Sequence, residues 1–149
     1  MRLIIDTDSN NLIVEEEARK EEIPLYSPRS FQLLSRQWLN VGWELKYSYG
    51  FSWLGVPIIQ LPEDILRIQE VIWRIRPDVI VETGVAHGGS AVFFASLCRC
   101  MGNGRVISID IEIRPSNRRA IETHPLSPLI TLIEGDSVSE ETVRKASAL

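Results

Sequence analysis

A chain of 149 residues falls within the size of one ordinary domain. With 44% apolar and 24% charged residues it can bury a core, and wholesale disorder is excluded. A net charge of -4 offers no basic footprint to duplex nucleic acid, and no run approaches the roughly 18 apolar residues that span a bilayer.

The opening stretch places Asp6 and Asp8 where a secretory signal would need an unbroken apolar core, so no signal peptide is expected. Ile4-Ile5 and Leu12-Ile13-Val14 read as short strands or as the apolar side of an arm. Glu15–Glu22 mixes charges at helical spacing and reads as a solvated helix face. Phe31, Leu34, Trp38 and Leu39 suit an amphipathic helix. Trp43, Tyr47, Tyr49, Phe51 and Trp53 follow, interrupted by Gly42, Gly50 and Gly55, and read as a packing cluster or as a lid over a pocket. Residues 1–60 are therefore expected to form an N-terminal arm with a helical, aromatic cap.

Pro62, followed by Glu63 and Asp64, predicts a helix start, with Ile65, Ile68, Ile72 and Ile75 on one face. Pro77 ends that helix near Arg76. Strands are then predicted over 78–82, 105–109 and 129–133. Helices are predicted over 91–100, 115–123 and 140–148. Strand and helix alternate three times, which predicts βαβ crossovers, a parallel sheet and the α/β class. Cys98 and Cys100 lie two apart and face different ways on a helix, so neither a disulfide nor a metal clip is expected. A reducing, cytoplasmic location agrees with that.

The segment from Val79 to Ser90 carries the chemistry. Gly84 turns the chain off the strand, and Gly88 with Gly89 lets backbone approach a ligand as the helix begins. A dinucleotide fingerprint would need glycine where Ala86 stands and would lack the acid Glu82. An acid at the strand tip suits S-adenosylmethionine, which carries an ammonium and a sulfonium, better than a diphosphate. Asp110 ends the second strand, where an acid accepts hydrogen bonds from ribose hydroxyls; its alternative is a helix cap or loop acid. Asp136, in Glu134-Gly135-Asp136-Ser137, could meet adenine, or could cap a helix together with Ser137. His87 sits inside the glycine turn and reads either as a loop residue or as part of a site. Arg114, Arg118 and Arg119 read as a solvated basic cluster, and His124 receives no role.

The strings ETGVAHGGS and DIEIRPSN, within a segment from about Trp53 to Ser137, resemble the cephalosporin hydroxylase family. Its members resemble S-adenosylmethionine-dependent O-methyltransferases, including rhamnosyl O-methyltransferases of glycolipid synthesis. The resemblance implies a Rossmann-like class I methyltransferase fold, with residues 61–149 as its first half, truncated after the third βα unit. It implies that Glu82, Gly84, His87, Gly88 and Ser90 surround the methionine part of the donor. Asp110 would hold its ribose and Asp136 would lie near its adenine.

In the full-length family a divalent metal such as Mg would orient the acceptor hydroxyl, with acids expected after a fourth strand. The catalytic residues are left unassigned. The acceptor is expected to be a small molecule, a sugar or a natural product. An exposed first strand would invite self-association. The alternatives are a non-catalytic remnant or partner-dependent subunit, and a nicotinamide-dependent enzyme of the same fold.

Overall fold

The computed structural model describes residues 1–17 and 19–149, which fall into two compact units, Met1–Tyr47 and Ser48–Leu149.

The first unit is an antiparallel meander of β1 (Arg2–Asp6), β2 (Asn11–Glu16) and β3 (Arg19–Pro24), with β2 in the centre, followed by helix α1 (Pro28–Glu44). Leu12 and Val14 of β2 alternate inward, as a half-buried strand requires, and join Ile23 of β3 beneath Leu33 and Leu34 of α1. Ser27 caps α1 by accepting the Ser30 N–H, and Pro28 supplies the first helical position.

The helix expected over Glu15–Glu22 is instead the end of β2 and most of β3; Ala18 lies outside the described residues. The charges that look helical in one dimension face each other across the ladder, Glu15 opposite Lys20 and Glu16 opposite Arg19. Burial of Leu12, Val14 and Ile23 fixes that register, because a one-residue slip would turn all three outward.

The second unit opens with a hairpin of β4 (Phe51–Trp53) and β5 (Val56–Ile58), turned by the left-handed pair Leu54-Gly55. Helix α2 (Pro62–Ile75) stops where Arg76 adopts a left-handed conformation before Pro77. Of its apolar stripe, Ile72 is buried, Ile65 and Ile68 are half-buried, and Ile75 in the last turn is exposed.

The α/β alternation follows as predicted: β6 (Val79–Thr83), α3 (Gly89–Met101), β7 (Arg105–Asp110), α4 (Pro115–Glu122), β8 (Ile130–Glu134) and α5 (Glu140–Ser147). The three strands are parallel in the order β6-β7-β8. Buried on both faces, β7 is a continuous run from Val106 to Ile109. Ala95 and Cys98 of α3 pack on Val106, while Ile121 of α4 meets Val85 and Ile113. Cys98 is buried and Cys100 exposed, as two-apart positions on a helix require, and burial pushes the Cys98 thiol above its ordinary value.

Of the aromatics read as a packing cluster or a lid, Trp43 and Tyr47 belong to the first unit and Tyr49, Phe51 and Trp53 to the second. Tyr47 meets Trp38 edge-on at 5.2 Å, and Trp53 meets Phe93 edge-on at 5.0 Å, while Trp43 and Tyr49 are exposed. The cap of α5 is Ser139, not Ser137. Its hydroxyl accepts the Thr142 N–H three residues on, a reach Ser137 does not have.

Candidate functional site

The carboxyl ends of three parallel strands place their loops side by side, which is where open α/β sheets bind ligands. Backbone bonds tie those loops together. The Gly84 N–H donates to the Ile109 carbonyl (2.8 Å), and the Gly135 N–H donates to the Asp110 carbonyl (2.9 Å).

The turn from β6 into α3 has left-handed residues at Gly84, Ala86 and Gly88, with Gly88 preceding the first helical residue. A side chain at Gly88 would run into Ile121, and one at Gly89 would overlap the Pro57 carbonyl and lie 2.7 Å from Ile58 Cα. The glycines are therefore required here by packing against α4 and β5.

A cleft of about 300 Å³ is lined by Glu82, His87 and Ser90, together with Pro57 of β5 and Ile59 and Gln60 just after it. A second, of about 350 Å³, is lined by Asp110, Glu112, Arg114 and Asn117. Ala86 and His87 form the wall common to both. A larger hollow in the first unit, around Leu25, Tyr26 and Phe31, has no carboxylate, histidine or basic side chain in its lining.

Glu82 and Asp110 are shifted in opposite directions. Burial pushes the Glu82 carboxyl above the ordinary range, against the hydroxyls of Ser108 and Ser90 that favour its charged form. Ser108, fully buried on β7 directly opposite Glu82, donates to Glu82 Oε1 at 2.6 Å. Burial also works to raise Asp110, but backbone N–H groups outweigh it and leave the carboxyl below its ordinary value. Asp110 Oδ2 accepts from Val85 (2.7 Å) and Ala86 (3.4 Å), and Oδ1 accepts from Glu112 (3.3 Å). Asp110 thus grips the glycine turn itself, beyond either role that its position alone suggests.

The sign for Glu82 follows from a folded value above the unfolded one. Its contribution to stability is complete below the unfolded value and is lost as pH rises through the folded one. Glu82→Gln is therefore expected to flatten the fall in stability with pH across that interval, read as urea midpoints at stepped pH. An unchanged pH profile would contradict burial as the source of the shift.

Asp136 Oδ1 accepts the Val138 N–H (3.0 Å), which folds the loop after β8 and leaves the carboxylate exposed. Arg118 of the basic cluster is paired rather than merely solvated. It donates to Glu134 (3.0 Å) and lies 3.5 Å from Glu122. Sequence reading missed Ser108, Gln60 and Asn117, whose neighbours come from other elements. It also gave no role to His124, whose Nδ1 accepts the Leu126 N–H while Nε2 faces the Leu54 carbonyl (3.3 Å).

A parallel sheet with alternating helices, a glycine turn after its first strand and an acid at the end of each of its first two strands give the second unit a Rossmann-like α/β fold. Residues 45–149 match the family model Rhamnosyl O-methyltransferase/CmcI, and the chain belongs to that family. The rhamnosyl O-methyltransferase of Mycobacterium leprae (strain TN) is 28% identical over 89 residues, 59% of this chain and 37% of that protein. That of Mycobacterium tuberculosis (strain ATCC 25618 / H37Rv) is 29% identical over 70 residues, 46% of this chain and 29% of that protein. The chain thus spans about a third of the length of these curated relatives. The solved CmcI-N160 apo-structure superposes with a TM-score of 0.52 at 29% identity, covering 65% of this chain and 40% of that one. The structure named cmcI-N160 SAH gives 0.47 at 31% identity, covering 60% and 45%.

Proposed function

We propose that the clefts around Gly84–Ser90 bind S-adenosylmethionine, and that the protein passes its methyl group to a hydroxyl oxygen of a sugar or natural-product acceptor. One observation carries the reading: a half-buried acid, Glu82, and the N-terminus of α3 line the same cleft. The methionine end of the donor is a zwitterion. Its ammonium and sulfonium suit the Glu82 carboxylate, and its carboxylate suits the N–H groups that the first turn of a helix leaves without partners.

Gly84 and Ser90 line that cleft, Gly88 is buried just before the first residue of α3, and His87 belongs to the wall shared with the second cleft. Asp110 keeps acceptor capacity on Oδ1 for a ribose hydroxyl, since a carboxylate offers about four acceptor positions. The free oxygen of Asp136 is the partner for the adenine amino group. When bound, the donor supplies an electrophilic methyl whose bond to sulfur breaks as the bond to the acceptor oxygen forms. The residues of this chain contribute by holding it in position. Among the described residues no three His, Cys, Asp or Glu side chains gather as a metal would require, so none is assigned to the Mg implied by the resemblance.

Radiolabelled S-adenosylmethionine crosslinked by ultraviolet light is expected to mark the peptide spanning 82–90, with excess S-adenosylhomocysteine abolishing the label. Labelling confined to other peptides would contradict the assignment.

The same reading includes self-association. Among the described residues β6 pairs with β7 alone, so its other edge is open, and Val81 is 56% exposed. No helix among the described residues is long and apolar enough to cross a membrane. Light scattering is expected to give a mass above that of one chain, and a compact monomer at working concentration would sink the idea.

A further inference from the structure

We infer that Asn117 is a positioning residue for the donor turn, acting by holding Ala86 in its left-handed conformation. This rests on the donor reading above. Of the three left-handed residues in the turn, Ala86 alone has a Cβ, with φ at 45°. An L-alanine adopts that conformation only where its surroundings compensate for the strain.

The compensation comes from the two ends of one connection, the last residue of β7 and the first turn of α4. Asp110 accepts the Ala86 N–H, and Asn117 Nδ2 donates to the Ala86 carbonyl at 2.6 Å, so the residue is gripped on both sides. Asn117 belongs to the first turn of α4, which Pro115 starts, and it is half-buried. The Ser116 hydroxyl lies 3.5 Å from Asn117 Oδ1, consistent with the amide orientation that offers its NH2 to Ala86.

Ala86 and His87 line both clefts, so the peptide between them is the wall that the two parts of the donor would share. Without Asn117 the Ala86 carbonyl loses its partner and that peptide is free to rotate. Rotation would turn a carbonyl oxygen toward a space that must accept N–H donation to a carboxylate.

The test is a cycle of Asn117→Ala in the native chain and in an Ala86→Gly background, titrated with S-adenosylmethionine. Glycine tolerates the left-handed conformation without help, so it should make Asn117 dispensable. Asn117→Ala is expected to weaken binding about tenfold in the native chain, and less than about threefold when residue 86 is glycine. Equal losses in both backgrounds would mean that Asn117 only supports α4, and no loss in the native chain would mean that it does nothing for the turn. Either overturns the inference.

Amide exchange of the unliganded chain separates this outcome from failure of the donor reading. If the native chain does not bind S-adenosylmethionine, that reading falls. The role of Asn117 is then decided by Gly88, whose N–H donates to the Val85 carbonyl at 2.8 Å. Faster Gly88 exchange in Asn117→Ala, restored by Ala86→Gly, upholds it; unchanged exchange overturns it.

Discussion

Replacing Gly89 by alanine is expected to cost the second unit about 3 kcal/mol, a large fraction of the ~5–15 kcal/mol that holds an ordinary domain folded. The added Cβ would overlap the Pro57 carbonyl and lie 2.7 Å from both Cα and Cβ of Ile58. These are backbone and branch-point atoms of β5, not the tip of a flexible side chain. Neither partner can yield cheaply, because Gly89 opens α3 and Ile58 is fully buried. Gly102 provides the comparison. It caps α3 with φ at 67°, yet a Cβ there meets nothing within 4 Å. Gly102→Ala should cost only about 1 kcal/mol, the price of a left-handed alanine. Chemical unfolding midpoints distinguish the two, and a Gly89→Ala loss no larger than that of Gly102→Ala would refute the packing argument.

The second large effect is expected at Asp110. Removing its carboxylate leaves the Val85 and Ala86 N–H groups without their acceptor and takes away the partner proposed for the ribose. Hydrogen bonds to a charged acceptor contribute ~1.5–3 kcal/mol each, so Asp110→Ala should weaken S-adenosylmethionine binding by about 100-fold or more. Asp110→Asn keeps one oxygen acceptor for the turn and should lose about tenfold. Two variants binding as tightly as the native chain would remove Asp110 from the site. An equal, full loss in both would place the effect in the charge and the sugar contact rather than in the grip on the turn.

The alternating part of the fold was legible in the sequence because its punctuation is local. Pro62, Pro77 and Pro115 mark boundaries and Gly102 with Gly104 ends a helix, so β7 and α4 fall within a residue or so of where the pattern puts them. β3 was hidden, since Arg19–Glu22 has no apolar alternation of its own and is a strand only because Ile23 joins Leu12 and Val14. The acids Glu82 and Asp110 could be found from their place at strand ends. What holds them could not. Ser108 matters through its register opposite Glu82, and Asn117 through a bond to a residue 31 positions away. Ala86 shows the same limit. The sequence reading contrasts it with a dinucleotide-type glycine, yet its backbone takes the left-handed form a glycine would take, so the difference at that position is a methyl group in the wall of two clefts.

The central claim is that this glycine turn and its two acids form a site for S-adenosylmethionine. Calorimetric titration of the chain with S-adenosylmethionine, beside NAD and beside the Glu82→Gln variant, tests it directly. The account predicts saturable binding of the methyl donor, at least about tenfold weaker when Glu82 loses its charge, and none of NAD. Binding of NAD instead, or no binding of the donor by a chain shown to be folded, would contradict it.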